Sequence, residues 1–248
     1  MDVTPFDIRI PDDILDDLQR RLDQVRWPDE LPHTDWDYGT NLAYLQLLVN
    51  YWQNGFDWRR QEALLNTFSH FRANVSGMGI HFIHERGQGP SPMPIIITHG
   101  WPSTFFEMYK IIPMLTDPAR FGGDAADAFD VVVPSMPGYG FSDKTTERGV
   151  DPAHIGDVLA ELMAGLSYSR FAAQGGDWGA SITARLAYAH PDHVLGIHTM
   201  LPAIITPDTG PGSRALSEAE RKFLDARNAW RQAEGGYSHI QGTKPQTL

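Results

Sequence analysis

Short apolar runs alternating with helical stretches predict an α/β fold, with a mostly parallel sheet covered by helices on both faces. Three observations carry that prediction. From residue 77 onward, apolar runs at 80–84, 95–98, 129–133, 171–174 and 194–199 each end in Gly, Pro or a polar residue. Helical patterns fit the intervening stretches at 104–115, 152–166 and 180–190, and strands that alternate with helices at such spacing pair in parallel. The chain has 248 residues, 42% of them hydrophobic, and 18 prolines. That is enough for one sizeable core with a small appendage.

Ahead of this core, Ile14, Leu15, Leu18, Leu22 and Val25 recur at helical spacing, and Asp12 and Asp13 favour the start of that helix. A second helix is expected over 41–52, with Leu42, Leu45, Leu48, Val49 and Trp52 on one stripe. Trp27-Pro28 and Phe56-Asp57-Trp58 read as aromatic connections used for packing. After Leu201 the alternation breaks. A Pro/Gly/Thr-rich connection over 202–212 leads to a helix over 217–233 that carries Phe223, Ala226, Ala229, Trp230 and Ala233 on one side. Its place in the order suggests an inserted lid, because ligands of open α/β sheets bind at that end. The expected division is a helical extension over 1–76, the core over 77–201 and the start of a lid over 202–248.

Composition excludes several classes of function. The charge is −11, from 20 basic and 31 acidic residues, so nucleic acid is not an expected partner. The chain contains no cysteine, which removes disulfides, a thiol nucleophile and thiolate metal sites together. No apolar stretch reaches the roughly 18 residues of a membrane span, and the start has neither a basic nor an apolar leader region. A cytoplasmic location is the expectation. No cluster of His, Asp and Glu suggests a metal, and no cofactor is expected.

Chemistry concentrates in three segments. In Phe171-Ala172-Ala173-Gln174-Gly175-Gly176-Asp177-Trp178-Gly179-Ala180 an apolar strand runs through small residues into a helix, the context of a nucleophile elbow. The usual occupant of such an elbow is Ser; here it is Asp. A carboxylate displaces a leaving group at saturated carbon and leaves an alkyl ester for water to cleave, which points to an epoxide or an alkyl halide. The competing reading makes Asp177 a cap for the following helix. The second segment, His99-Gly100-Trp101-Pro102, ends an earlier strand, and the third, Pro137-Gly138-Tyr139-Gly140-Phe141-Ser142, closes the next one with a glycine-containing turn. In that order the three are the landmarks of an α/β-hydrolase. In that fold the main chains of Trp101 and Trp178 become the candidate oxyanion donors.

Across nearly the whole chain the sequence resembles the microsomal-type epoxide hydrolases. The likeness includes Arg26-Trp27-Pro28, Phe56-Asp57-Trp58-Arg59, Gly77-Met78-Gly79-Ile80-His81-Phe82-Ile83-His84 and the three segments above. The N-terminal helices look like the extension that wraps the core in that family and that haloalkane dehalogenases lack. The resemblance implies that Asp177 attacks an epoxide carbon while lid tyrosines donate to the departing oxygen. Tyr237 matches the first of these. His99, Pro102 and Tyr139 are expected beside the substrate, with His99 fixing its loop by hydrogen bonds rather than serving as base. The implied partners are a small apolar epoxide and water, with a homodimer left open. In the family the second tyrosine, the base histidine and its acidic partner follow the lid. The fold is therefore expected to be incomplete at the C-terminus, as in a fragment or a decayed or split gene product. The alternatives are a haloalkane dehalogenase and a non-catalytic hydrolase-like protein.

Overall fold

The computed structural model describes residues 1–201 and 207–247. Two compact units emerge, Met1–Pro202 and Ala203–Leu248. The first contains β1 (Val3–Pro5), α1 (Asp12–Asp23), α2 (Leu42–Asn54), α3 (Trp58–Leu65), β2 (His70–Val75), β3 (Met78–Glu85) and β4 (Met93–Thr98). It continues through α4 (Ile111–Thr116), β5 (Phe129–Pro134), α5 (Pro152–Gly165), β6 (Phe171–Gly175), α6 (Trp178–Ala189) and β7 (Val194–Thr199). The seven strands form one sheet in the order β1-β2-β3-β5-β4-β6-β7. The pairs from β1 to β5 are antiparallel, and the β5, β4, β6 and β7 pairs are parallel.

Alternation along the central strands explains how one sheet serves two cores. Ile80 and Phe82 of β3, Ile96 of β4 and Val132 of β5 face one side, where Leu159 of α5 and Ile182 and Leu186 of α6 pack on them. Ile83, Ile95, Ile97, Val131 and Val133 face the other, against Ile8, Leu65, Phe105 and Ile112. A strand covered on both faces must be apolar at every position, which is why Ile95-Ile96-Ile97 and Val131-Val132-Val133 read as unbroken runs. Among the described residues the outer strand β7 pairs with β6 alone, and its Leu195 and Ile197 are exposed.

All five expected strands form. The segment expected as a helical extension, however, also supplies β1 and β2, which lengthen the sheet. The patterns there were too short or too polar to stand out, because Val3-Thr4-Pro5 and His70-Phe71-Arg72 gain their partners only from each other and from β3. The stretch expected as one helix over 104–115 divides into a 3₁₀ turn, Phe105–Met108, and the short α4. Thr104 caps the turn by accepting from the Phe106 N–H. Asp57, read as part of a packing connection, caps α3 by accepting from the Arg60 N–H.

Polar ties fasten the N-terminal residues to the sheet. The Asn66 amide bridges the Ile8 main chain in both directions, at 2.9 and 2.8 Å. The buried Glu62 carboxylate accepts from the Ile10 N–H at 2.7 Å and from the Trp58 indole at 3.2 Å. The helices α1 and α2 line an apolar groove of about 660 Å³ that includes Leu18, Leu22, Trp52 and Phe56 but no residue of the three chemistry-bearing segments.

In the second unit, α7 (Glu218–Glu234) begins with a capping box between Ser217 and Glu220, and α8 (Gly236–Thr243) follows after Gly235. The expected 217–233 helix is therefore present. A second helix, which the sequence reading did not expect, carries Tyr237. Positions 202–206 of the expected lid connection, and residue 248, lie outside the described residues.

At the foot of the sheet, Asp130 is buried and accepts from the Gly87 N–H at 2.8 Å, the Tyr168 hydroxyl at 2.7 Å and Arg86 at 2.8 Å. Burial alone would push its carboxyl up, but these three partners outweigh it and hold the carboxyl below its ordinary value. A group whose folded pKa is depressed adds stability that is present above the unfolded value, near 4, and is lost as pH falls through the folded one. Asp130→Asn is expected to cost about 1 to 2 kcal/mol at pH 7 and less at pH 3, as read from urea unfolding at the two pH values.

Candidate active site

The strand β6 delivers the chain to a bend at Gly176 and Asp177, and α6 starts at once with Trp178. Asp177 has φ 51° and ψ −121°, a region that a residue with a Cβ rarely occupies and that costs about 1 to 3 kcal/mol. Its side chain makes no capping bond to α6. The reading of Asp177 as a mere helix cap is thereby overturned. Held in this bend, the carboxylate stands out from the end of the sheet and is exposed.

The bend is tight because two glycines remove side chains from it. A Cβ on Gly175 would lie 2.1 Å from the Gly179 carbonyl oxygen, and one on Gly179 would lie 2.2 Å from the Thr98 carbonyl oxygen. The first turn of α6 therefore rests directly on the end of β4. This contact brings the loop after β4 against the carboxylate: the Trp101 N–H donates to Asp177 Oδ1 at 3.0 Å. Trp178 is the first residue of α6, so its N–H belongs to the helix turn that has no intrahelical acceptor.

Two further loops complete the surroundings. The turn after β5 is locked to β3: the Ser135 N–H donates to the His81 carbonyl at 2.8 Å, and the Asp143 N–H donates to that of Gly79, also at 2.8 Å. Asp143 in turn accepts from Arg72 at 2.6 Å and from the Gly79 N–H at 2.8 Å. Tyr139, on this turn, is half-buried. Burial first, and the negative charge of Asp177 second, push its phenol above the ordinary value, so the phenol and the carboxylate share one electrostatic environment. Pro102 is exposed next to Trp101.

His99 departs from the expectation that it lies beside substrate. Its ring is fully buried, its Nδ1 lies 3.0 Å from the Gly100 carbonyl oxygen, and its Nε2 accepts from the Met136 N–H at 3.2 Å. Burial pushes its pKa down. With both nitrogens engaged inside the protein it offers no surface to a ligand, and substrate contact is withdrawn for this residue. The loop-fixing role expected for it agrees with these bonds.

The structure thus gathers Asp177, Trp101, Trp178 and Tyr139 at the end of one sheet, within the first unit. Tyr237 belongs to the second unit, where its side chain is exposed. Sequence reasoning missed a buried chain behind the site, in which His81 Nδ1 meets Ser135 Oγ at 2.9 Å and His81 Nε2 meets His70 Nδ1 at 3.0 Å. It braces the turn that carries Tyr139. No local pattern marks it, because the three residues come from β2, β3 and the turn after β5. Among the described residues no group of His, Cys, Asp and Glu could hold a metal ion, and no helix is long and apolar enough to cross a membrane.

Strand order and elbow are those of an α/β-hydrolase. Comparison with known proteins agrees: the α/β hydrolase fold family matches residues 93–241, and the family described as epoxide hydrolase N terminus matches residues 3–108. A protein of Stigmatella aurantiaca assigned as an epoxide hydrolase is 46% identical over 99% of this chain and 56% of its own length. Epoxide hydrolase 1 of Oryctolagus cuniculus is 35% identical over 99% of this chain and 58% of its own. The solved structure of an Aspergillus niger epoxide hydrolase superposes with a TM-score of 0.84 at 29% identity, over 100% of this chain and 64% of that one. The chain belongs to the α/β hydrolase fold family, with a first part that matches the epoxide hydrolase N terminus, and it spans a little over half the length of the curated relatives it matches.

The close contact at Gly179 gives a direct test of the elbow. Gly179→Ala places a methyl group against the Thr98 carbonyl and is expected to destabilise the protein by about 2 to 3 kcal/mol. Urea unfolding measures the loss. An unchanged midpoint would show that the helix does not rest on β4 as described.

Proposed function

We propose that this chain provides the nucleophile of an epoxide hydrolase, and that Asp177 is that nucleophile. The observation that carries the reading is the pairing of a strained, exposed carboxylate with the Trp101 N–H at 3.0 Å from one of its two oxygens. That bond makes the oxygens unequal. Oδ1 is held by the amide, and Oδ2 is the one left to attack.

In the proposed reaction, Oδ2 forms a bond to an epoxide carbon, and the C–O bond of the ring breaks. The electron pair moves to the ring oxygen, which takes a proton. The phenol of Tyr237 is the candidate donor, on the family resemblance alone, because a developing alkoxide is protonated by a nearby phenol. Water then adds to the carbonyl carbon of the ester, and negative charge gathers on Oδ1. The N–H groups of Trp101 and Trp178 hold that charge, each lowering the barrier by about 3 kcal/mol. Collapse breaks the bond between the carbonyl carbon and Oδ2; of the two protons of the water, one goes to the departing alkoxide and the other returns to the Tyr237 phenolate, so that a vicinal diol leaves and the carboxylate is restored with the oxygen of the water in it. No residue of this chain is assigned as the base that activates the water.

The substrate in this reading is a small apolar epoxide, with Pro102 and Tyr139 at its side. The names of the relatives support epoxide over alkyl halide, as does the match to the epoxide hydrolase N terminus. The reading extends to clearance of foreign epoxides by a cytoplasmic protein, alone or as a homodimer, which cell fractionation and native mass measurement test.

Incubation with styrene oxide is expected to add one epoxide mass to the peptide containing Asp177 and to leave Asp177→Asn unmodified. Tyr237→Phe should slow the addition. Modification elsewhere, or halide release from alkyl halides with no reaction at epoxides, would overturn the proposal. Sustained diol release would show that a base lies within this chain.

A further inference from the structure

His99 ends up far from the role its residue type invites, and its bonds say what it does instead. The Gly100 carbonyl can only accept, so His99 Nδ1 carries the hydrogen of their 3.0 Å bond. The Met136 N–H can only donate, so Nε2 is bare at 3.2 Å. The two partners together fix one neutral tautomer, and the fully buried ring cannot turn to exchange them. Met136 is itself fixed. It is almost fully buried, and its carbonyl accepts from the Tyr139 N–H at 2.9 Å. Tyr139 packs edge-on against the His99 ring, with centroids 5.3 Å apart.

The carbonyl that His99 grips belongs to the same peptide unit as the Trp101 N–H. In a planar trans unit the C=O and N–H point in opposite directions, so fixing one end aims the other. At the oxygen end stand His99 Nδ1–H and the Ser103 N–H, at 3.0 and 3.1 Å. At the nitrogen end stands Asp177 Oδ1, at 3.0 Å.

We propose that His99 is a positioning residue: by holding the Gly100 carbonyl it aims the Trp101 N–H at Asp177 Oδ1. Through Met136 it also ties that aim to the turn carrying Tyr139. The inference rests on Asp177 being the nucleophile only for its catalytic consequence; the geometric part stands without it.

Two substitutions separate this role from simple core filling. In His99→Asn the amide nitrogen reaches the place of Nδ1 and keeps the bond to Gly100. In His99→Gln the amide oxygen reaches the place of Nε2 and keeps only the bond to Met136. The first readout, on the full 248-residue chain, is the Trp101 amide proton shift followed through the carboxylate pH range, with Asp177→Asn as the control that abolishes it. The second is the hydrolysis rate of the ester formed from styrene oxide at Asp177. H99N is expected to keep the amide response and to hydrolyse the ester within about threefold of the parent, whereas H99Q should lose the response and slow hydrolysis by about tenfold or more.

Equal behaviour of the two variants in both readouts would overturn the proposal, as would an amide response intact in H99Q. If neither variant folds, the nitrogen shifts of the His99 ring in the parent protein decide. A proton on Nε2, or a doubly protonated ring at neutral pH, overturns it, and a lone proton on Nδ1 supports it. Failure of styrene oxide to modify the parent would count against the proposed function but leave the amide measurement able to judge His99.

Discussion

The arrangement at the carboxylate depends on one close approach, that of the Gly179 backbone to the Thr98 carbonyl. A single carbon atom inserted there would sit 2.2 Å from that oxygen. Because nothing intervenes, the start of α6 and the end of β4 are held in contact, and the bend between β6 and α6 cannot relax. Asp177 then keeps its positive φ, and the loop after β4 is brought within hydrogen-bond distance of it. Tight packing of helix on sheet, from Leu159, Ile182 and Leu186 over Ile96 and Val132, supplies the stability against which this local strain is maintained.

Much of this was legible in the sequence because the physics is local or periodic. The unbroken apolar runs of β4 and β5 announce strands buried on both faces. The small residues around Asp177 announce a bend in which backbones touch. What was not legible is what depends on distant partners. β1 and β2 exist because Val3 meets Ala73 and Arg72 meets His81, and neither pairing has a signature in its own segment. The burial of His99 was equally hidden. A histidine beside Gly-Trp-Pro reads as a loop-fixing neighbour of the substrate until the Met136 amide, 37 residues away, is found on its far nitrogen. The division of 104–115 shows the reverse error, in which a helical period continues through Tyr109 and Lys110 although the backbone turns there.

The two histidine groups near the site show how burial decides the use of a residue whose pKa is otherwise poised for catalysis. His81, shielded from water and next to a second histidine and Arg72, is pushed down to about 3, and His99 is pushed in the same direction by burial. Both are neutral at physiological pH, and both act as rigid donor and acceptor pairs. Neutral imidazole offers one N–H and one lone pair on opposite sides of a flat ring. It can thus join two loops with a defined polarity, which a buried amide or hydroxyl does with less reach.

An aspartate in place of serine at such an elbow also changes what the amide donors are for. With serine, the charge that develops in the reaction lies on the substrate's carbonyl oxygen, so the donors act only after substrate arrives. With aspartate, on the proposed reading, the charge develops on the enzyme's own Oδ1, which the Trp101 N–H already holds at 3.0 Å. The donor is aligned before the reaction begins, and no reorganisation is required of it when the ester is attacked. The same bond restrains the carboxylate and, on the proposed reading, leaves Oδ2 for the attack. One amide therefore serves both halves of the proposed reaction, orienting the nucleophile in the first and holding its charge in the second. The aim of that amide, set from the carbonyl end of its peptide, becomes a property of the resting protein rather than of the complex with substrate.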